Sequence, residues 1–221
     1  QRCIENAKKL GLDAMVVIGG DGTMKIGSDL SKLGLPMVGV PKTIDNDLSA
    51  TEVTFGFETA VQTATEALDR IQTTAESHHR VMVMEVMGRD AGWIALWSGL
   101  AGGADVILIP EIPFTIEKVC AKIKEREGMG RTFSIVVVAE GAKFPANDPS
   151  GKPIPPAKPG SVANTLAFSI REYTGKDVRV TVLGHVQRGG TPTAFDRLLG
   201  LRFGAHAADL IAQGKFGYMV C

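Results

Sequence analysis

Short apolar runs alternate with stretches of helical spacing along most of this 221-residue chain. Five of the runs have the length and composition of buried strands: Ala14–Ile18, Met37–Val40, Val81–Val86, Val106–Ile109 and Ser134–Val138. Strands that alternate with helices are typical of an α/β protein with a mostly parallel sheet. Ligands bind such sheets outside the carboxyl ends of the strands, so we expect the functional residues just after the apolar runs.

The clearest helix is predicted at Phe57–Ser77. Its apolar residues are separated by alternating steps of four and three positions, which places them on one face: Phe57, Val61, Ala64, Leu68, Ile71 and Ala75. Lys25–Leu33 also has helical spacing. Further strand-like or helical units are predicted at Ala163–Tyr173 and Arg179–Gly184.

Composition excludes several classes of protein. The chain has 24 basic and 24 acidic residues, which argues against an electrostatic nucleic-acid binder, and its apolar content of 44% argues against disorder. The longest uncharged stretch, Ala91–Ala104, is shorter than the roughly 20 residues that span a bilayer. Cys3, Cys120 and Cys221 form neither a metal-spaced pair nor a disulfide framework. We therefore expect a cytoplasmic protein that binds neither nucleic acid nor membrane.

Both ends and one internal segment are unusual. The chain starts at Gln1 inside a helix-like run and stops at Cys221 just after an apolar run begins, so we expect an internal fragment. Six of the 11 prolines lie between Pro145 and Pro159. Such a proline-rich segment is typical of an extended surface excursion, and we predict a loop insertion here rather than a domain linker.

The first candidate site, Gly19-Gly20-Asp21-Gly22-Thr23, directly follows an apolar run. Its glycines allow backbone N–H groups to approach an anionic ligand closely, as in a phosphate-binding nest. A carboxylate beside such a nest can hold Mg²⁺ on the phosphates. The alternative is a glycine-rich turn in which Asp21 only caps the following helix.

The second candidate, residues 41–47, reads PKTIDND. Pro41 is predicted to end the strand before it and disfavours a helical conformation at the preceding residue. If the chain stays extended, Asp45 and Asp47 project to the same side. Two carboxylates at one site suit a general base beside a cation. The alternative is a surface turn stabilised by the Asp and Asn side chains.

The third candidate, Met87-Gly88-Arg89, follows another strand-like run. Arg89 beside a glycine at a strand end can bind an oxyanion bidentately, and the alternative is a surface ion pair with Asp90. We expect Trp93 and Trp97 to pack in the core rather than to stack on a ligand.

The fourth candidate, residues 184–192, reads GHVQRGGTP. Thr191 is predicted as the N-cap of a helix, with Pro192 in its first turn. His185 and Arg188 lie just before that helix and would bind a phosphate or a sugar hydroxyl, although a lone histidine is more often structural. Glu140 also follows an apolar run but gives no signal by itself.

Taken in this order, GGDGT, PKTIDND, MGR, AEG and LGHVQRGGTP resemble the motifs of the phosphofructokinase family over nearly the entire chain. NAD kinases and diacylglycerol kinases share only a motif similar to GGDGT. The resemblance implies two doubly wound α/β domains with mostly parallel sheets, here incomplete at both ends. A discontinuous nucleotide- and Mg²⁺-binding domain would comprise residues 1–56 and 187–221, and a sugar-phosphate-binding domain residues 57–186.

The resemblance also implies a 6-phosphofructokinase of glycolysis, which moves the γ-phosphoryl group of ATP to the C1 hydroxyl of fructose 6-phosphate. Asp45 would be the general base, Asp47 would assist through the metal or the local field, and Thr43 and Arg89 would also be catalytic. Donor binding would involve Gly20, Asp21, Gly22, Thr23 and Lys42, with Asp21 as the Mg²⁺ ligand. Substrate binding would involve Thr43, Asp45, Arg80, Met87, Gly88, Arg89, Glu140, Arg179, His185 and Arg188.

Within the family resemblance, Arg80 and Arg179 would come from a neighbouring subunit, which implies a homodimer or homotetramer with shared active sites. Gly22 resembles the ATP-using members, because pyrophosphate-using members have aspartate there. Lys42 resembles the pyrophosphate-using branch, so pyrophosphate is the alternative donor. Asp105 matches an acidic position of regulated members, which alone does not establish regulation. A non-catalytic sugar-phosphate-binding fragment is a further alternative.

Overall fold

The computed structural model describes residues 2–144 and 162–221. The proline-rich segment Pro145–Pro159 lies outside the described residues. The chain divides into two compact units, which we call unit 1 (Gln1–Glu58 with Pro192–Cys221) and unit 2 (Thr59–Thr191). In the described part of the chain, no helix combines the length and the apolar character needed to cross a membrane.

Helices and strands alternate as the sequence predicts. In chain order the elements are α1 (Arg2–Lys9), β1 (Met15–Gly19), α2 (Asp21–Lys32), β2 (Met37–Thr43), β3 (Phe55–Gly56), α3 (Phe57–His78), β4 (Val81–Val86), α4 (Trp93–Ala101), β5 (Val106–Leu108), α5 (Ile116–Gly128), β6 (Ser134–Ala139), α6 (Val162–Thr174), β7 (Val178–Val182), a 3₁₀ turn (Gly184–Arg188), α7 (Ala194–Ala212) and β8 (Tyr218–Met219).

The sheet of unit 1 is built around β2. All its pairings are parallel: β2 pairs with β1 along most of its length, with β8 near its start and with β3 at its end. Helix α7 packs on β2 and β3 through Leu199 and Phe203, which meet Val38 and Val40. This packing fixes the strand that carries the PKTIDND segment.

Unit 2 contains a second, fully parallel sheet in the order β5-β6-β4-β7. Every residue of β4 and β6 is buried, which explains why both strands read as continuous apolar runs with few polar residues. Helices α5 and α6 cover this sheet through Val119, Ile123, Leu166 and Ile170. The predicted α/β class with parallel sheets is therefore confirmed.

Strand β2 and helix α2 extend beyond their predicted ends. Strand β2 continues through Pro41 to Thr43, so the prediction that Pro41 ends it is wrong. Pro41 pairs with Gly19 of β1 and lies between the residues that pair with β8 and those that pair with β3, where a missing N–H is tolerated. Helix α2 begins at Asp21 and not at Lys25, because Gly20 is extended and serves as its N-cap.

Two further predictions are wrong. Helix α7 is capped by Thr193, whose Oγ1 accepts a hydrogen bond from the N–H of Asp196 at 3.3 Å, so Thr191 is not the N-cap. Trp93 and Trp97 do not lie in the core: they are 43% and 52% exposed. Their spacing of four places both on the outward face of α4, whereas the buried residues of that helix, such as Ile94 and Ala95, face inward.

Candidate active site

The GGDGT segment connects the end of β1 to the start of α2. Gly20 is the N-cap, without a side-chain cap, and Asp21 is the exposed first residue of the helix. Asp21 is therefore not the cap, so the alternative in which it only caps the helix is wrong, and it lies in the first helical turn. The N-terminus of this 12-residue helix presents backbone N–H groups and a partial positive charge, which favour a bound phosphate.

Two glycines of this segment allow close packing. A Cβ at Gly19 would lie 2.5 Å from Oγ1 of Thr23, and a Cβ at Gly20 would lie 3.3 Å from Cβ of Thr43. The loop before α2 therefore lies against the end of β2. Gly22 differs from both, because a Cβ there would meet open space.

The PKTIDND segment leaves β2 at Thr43 and turns at once. Asp45 is 5% exposed, and its backbone N–H donates to Oγ1 of Thr43 at 3.1 Å. The extended conformation ends before Asp45, and Asn46 has a φ of +50°, so the alternation expected to place Asp45 and Asp47 on one side is absent. Asp47 is exposed. Of the two carboxylates, Asp45 has the buried position expected of a positioned base.

Asn46 holds the loop that contains Asp45. Its Oδ1 accepts the backbone N–H of Thr54 at 2.9 Å, and its Nδ2 donates to the carbonyl of Glu52 at 3.2 Å. The hydroxyl of Thr54 donates to the carbonyl of Thr43 at 2.8 Å. The alternative of a surface turn stabilised by the Asp and Asn side chains therefore applies to the Asn46 side chain, and Asp45 stays the functional candidate. Lys42 is exposed on β2.

The segment after β4 forms a tight turn with unusual backbone angles. Gly88 has a φ of +142°, and Arg89 has a φ of +54°. A Cβ at Gly88 would lie against the carbonyl oxygen of Ala91, so only glycine fits. Met87 and Gly88 are buried, while Arg89 is exposed. Within the described residues Arg89 forms no ion pair with Asp90, which removes the alternative of a local ion pair.

Side chains from two other strand ends hold this turn by its backbone. Glu140, just after β6, accepts the N–H of Arg89 on Oε1 at 2.9 Å. Gln187, in the 3₁₀ turn after β7, accepts the N–H of Met87 on Oε1 at 2.8 Å. The family resemblance alone had placed Glu140 among the candidate site residues, and the sequence analysis did not select Gln187.

A cavity of about 160 Å³ lies at the carboxyl ends of β4, β6 and β7. Its lining includes three predicted substrate-binding residues, Met87, Glu140 and His185. His185 and Arg188 are exposed on the 3₁₀ turn. The fold of unit 2 therefore brings residues from positions 87, 140 and 185 to one sheet edge.

Arg80 and Arg179 lie elsewhere in unit 2. Both pair with Asp177: Nε of Arg80 is 2.7 Å from Oδ2, and a guanidinium nitrogen of Arg179 is 2.5 Å from Oδ1. Arg80 precedes β4 and Arg179 is the second residue of β7, so the pair lies at the amino ends of the strands, opposite Met87. Their predicted role at the site of a neighbouring subunit stays a prediction.

Three acidic residues accept hydrogen bonds from backbone N–H groups within unit 2. Asp105 accepts the N–H of Ile135 at 2.8 Å and pairs with Arg126 at 2.8 Å; burial raises its pKa, and these two partners oppose that shift. Glu111 accepts the N–H of Gly92 at 2.8 Å. Glu85 is 2% exposed and accepts the N–H of Ala163 at the start of α6 at 2.8 Å. A carboxylate inside the apolar run VMVMEV was the sequence signal for Glu85.

The sequence model of the phosphofructokinase family matches residues 1–211. The chain belongs to the phosphofructokinase family. An "ATP-dependent 6-phosphofructokinase" of Chloroflexus aggregans is 55% identical over 219 residues, which are 99% of this chain and 61% of that protein. A "Pyrophosphate--fructose 6-phosphate 1-phosphotransferase" of Amycolatopsis methanolica is 54% identical over 219 residues, covering 95% of this chain and 63% of that protein.

Solved structures of phosphofructokinases have the same fold. The phosphofructokinase of Saccharomyces cerevisiae matches with a TM-score of 0.80 and 35% identity, covering 94% of this chain and 30% of that one. The predicted family and its α/β fold are thus confirmed. The chain spans about three-fifths of the length of curated relatives such as that of Chloroflexus aggregans.

Proposed function

We propose that the protein transfers the γ-phosphoryl group of ATP to the C1 hydroxyl of fructose 6-phosphate and produces fructose 1,6-bisphosphate. The observation that carries the proposal is the close approach of Gly20 to Thr43, which brings the N-terminus of α2, a helix end without a side-chain cap, beside the loop of Asp45. A phosphate site and a buried carboxylate are thus neighbours at the ends of two paired strands, β1 and β2. Phosphoryl transfer requires mainly such positioning of donor, base and charge.

Unit 1 binds the donor in this proposal. Gly20, Gly22 and Thr23 offer backbone N–H groups to the phosphates, and Asp21 is the residue that would hold Mg²⁺ on them. Among the described residues no group of three His, Cys, Asp or Glu side chains could hold a metal by itself. A single carboxylate still fits Mg²⁺, which in nucleotide sites binds one or two carboxylates, the phosphates and water. Bound Mg²⁺ would neutralise charge on the phosphates.

Asp45 is the general base and takes the proton of the C1 hydroxyl. Asp45 is buried, and its backbone N–H donates a hydrogen bond to Thr43, so the backbone from which its side chain projects has a fixed position. A general base must be positioned in this way. Thr43 also contacts the sugar phosphate. The exposed Asp47 would assist through the metal or through the local electrostatic field.

Unit 2 binds the acceptor. Met87, Gly88 and Glu140 shape the sugar site at the strand ends, and His185 and Arg188 bind the sugar phosphate; Met87, Glu140 and His185 line the cavity there. The exposed guanidinium of Arg89 stabilises charge on the transferring phosphoryl group, which is where preorganised positive charge lowers the barrier most.

Pyrophosphate is the second candidate donor. Lys42 is exposed at the end of β2 and carries a charge that suits a small anionic donor, and one relative at 54% identity is named as pyrophosphate-dependent. Open space next to Gly22 supports ATP, because a bulkier donor needs that room. We therefore propose ATP as the principal donor.

The proposal includes an oligomer in the cytoplasm. Arg80 and Arg179 would bind the sugar phosphate held by a neighbouring subunit of a homodimer or homotetramer. Their common partner Asp177 keeps both guanidinium groups within one small region, as joint recognition of a phosphate requires.

The test is a donor-choice assay on the purified protein with Mg²⁺ and fructose 6-phosphate. Fructose 1,6-bisphosphate is measured by ³¹P NMR with ATP or pyrophosphate as the sole donor. Product with ATP supports the proposal, and product with pyrophosphate alone supports the second candidate. Absence of product with both donors would contradict the proposed reaction.

A further inference from the structure

Gln187 has an environment unlike that of its neighbours in the 3₁₀ turn. It is 1% exposed, whereas His185, Val186 and Arg188 on either side are exposed. The turn therefore sends one polar side chain inward and leaves the two proposed substrate-binding residues outside. A buried amide needs hydrogen-bond partners, because its desolvation otherwise costs stability.

Among the described residues, only the oxygen of the Gln187 amide has a hydrogen-bond partner. Its Oε1 accepts the backbone N–H of Met87 at 2.8 Å, across 100 residues of sequence. Its Nε2 is buried and has no hydrogen-bond partner in the part of the chain that the structure describes. A methionine of similar length would avoid the unpaired Nε2 and lose the bond to Met87, so fold stability alone gives no clear preference for glutamine.

The hydrogen bond joins two segments that the proposed reaction uses. Met87 leads directly into the turn with Gly88 and Arg89, and Gln187 lies between His185 and Arg188. Met87 and His185 both line the cavity at the strand ends. The amide oxygen of Gln187 thus links the segment that carries Met87 to the segment that carries His185, on two sides of the cavity.

We propose that Gln187 is a positioning residue of the sugar-phosphate site: it fixes the backbone of Met87 relative to His185 and Arg188, and this role rests on the proposed function. Gln187 need not touch the substrate. Its loss separates the two groups of substrate-binding residues, and a small misplacement of binding groups can reduce activity by up to about 100-fold.

The test compares two variants in the intact protein. Gln187→Met removes the acceptor at nearly constant volume, and we expect the KM for fructose 6-phosphate to rise about tenfold. Its unfolding temperature should stay within about 3 °C of the wild type, since the variant leaves the N–H of Met87 unpaired but removes the unpaired Nε2 of Gln187. Gln187→Glu keeps an oxygen acceptor at the same distance, whether protonated or ionised, and should keep the KM within about threefold of the wild type.

Each outcome decides between a positioning role and a purely structural role of Gln187. A raised KM in Gln187→Met with unchanged unfolding temperature, rescued in Gln187→Glu, supports the positioning role. An unchanged KM in an active Gln187→Met, or a raised KM in a stable Gln187→Glu, overturns it. If Gln187→Met does not fold, the KM of Gln187→Glu alone decides. A wild type that is inactive with both donors overturns the proposed function, and the positioning role with it.

Discussion

The backbone N–H of Arg89 donates to Oε1 of Glu140 at 2.9 Å, and Arg89 itself has a φ of +54°. A left-handed conformation at a residue with a side chain costs about 1–2 kcal/mol. The bond to Glu140 offsets part of that cost and joins the ends of β4 and β6. The turn that presents the Arg89 guanidinium is thus held by a side chain 51 residues away.

Glu140→Ala should loosen this turn. Arg89 would lose the acceptor of its N–H, so we expect a loss of about 1–3 kcal/mol in the free energy of unfolding and a KM for fructose 6-phosphate raised about tenfold. Urea unfolding and steady-state kinetics measure the two effects. Glu140→Gln is the matched control, because its amide oxygen can still accept the bond. Equal stability of Glu140→Ala and Glu140→Gln would contradict the role of Glu140 in the turn.

Gly22→Asp should impair the use of ATP without disturbing the fold. A Cβ at Gly22 meets open space, so the variant is expected to fold with an unchanged unfolding temperature. The added carboxylate would occupy the room beside the phosphates and repel them, and we expect kcat/KM for ATP to fall by about 10–100-fold. Gly22→Ala separates size from charge and should lose less. Full ATP-dependent activity of Gly22→Asp would show that the space at Gly22 does not select the donor.

Asp196→Ala should destabilise unit 1. Asp196 is 4% exposed, and its Oδ1 accepts the N–H of Gly56, which has a φ of +104°, at 2.8 Å. Loss of this buried acceptor is expected to lower the free energy of unfolding by about 1–3 kcal/mol. Asp196→Asn keeps an oxygen at the same position and should be less affected. The prediction fails if chemical denaturation gives the two variants the same midpoint.

Cys120 should make stability fall at alkaline pH. Burial raises the pKa of its thiol from 9.0 to about 11, Lys124 lowers it and Glu117 raises it further. Between pH 9 and 11 the unfolded chain releases this proton while the folded chain keeps it, so the contribution to stability is complete below pH 9 and decreases as the pH rises. The measurement is urea unfolding of the wild type and Cys120→Ala across this range. The difference between the two proteins should shrink with pH, and a constant difference would refute the prediction.

Much of the fold follows from local pattern. Val81–Val86 and Phe57–Ser77 were predictable because a buried parallel strand reads as a continuous apolar run and an amphipathic helix has a regular stripe. The true end of β2 was not predictable, because proline lacks an N–H and is tolerated in a strand only where no neighbouring strand needs that donor, as between the β8 and β3 pairings of β2. The exposure of Trp93 and Trp97 likewise depends on which face of α4 the sheet covers.

The candidate site shows a similar division. The motifs made Asp45, Met87 and His185 candidates, since functional residues follow strands in parallel sheets, whereas Glu140 was a candidate from the family resemblance alone. The alternation rule failed at Asp45 and Asp47 because the chain turns after Thr43. The hydrogen bond of Gln187 could not be found from spacing, because its partner Met87 lies 100 residues away and is brought near by the pairing of β4 with β7.

The central claim is that the buried carboxylate of Asp45 takes the proton of the acceptor hydroxyl. Its most direct test is the kcat for formation of fructose 1,6-bisphosphate by the wild type, Asp45→Asn and Asp47→Asn, each checked for an unchanged unfolding temperature. We predict that Asp45→Asn lowers kcat by about 10²–10⁴-fold with little change in KM, while the exposed Asp47 matters less. A folded Asp45→Asn protein with the kcat of the wild type would contradict the account.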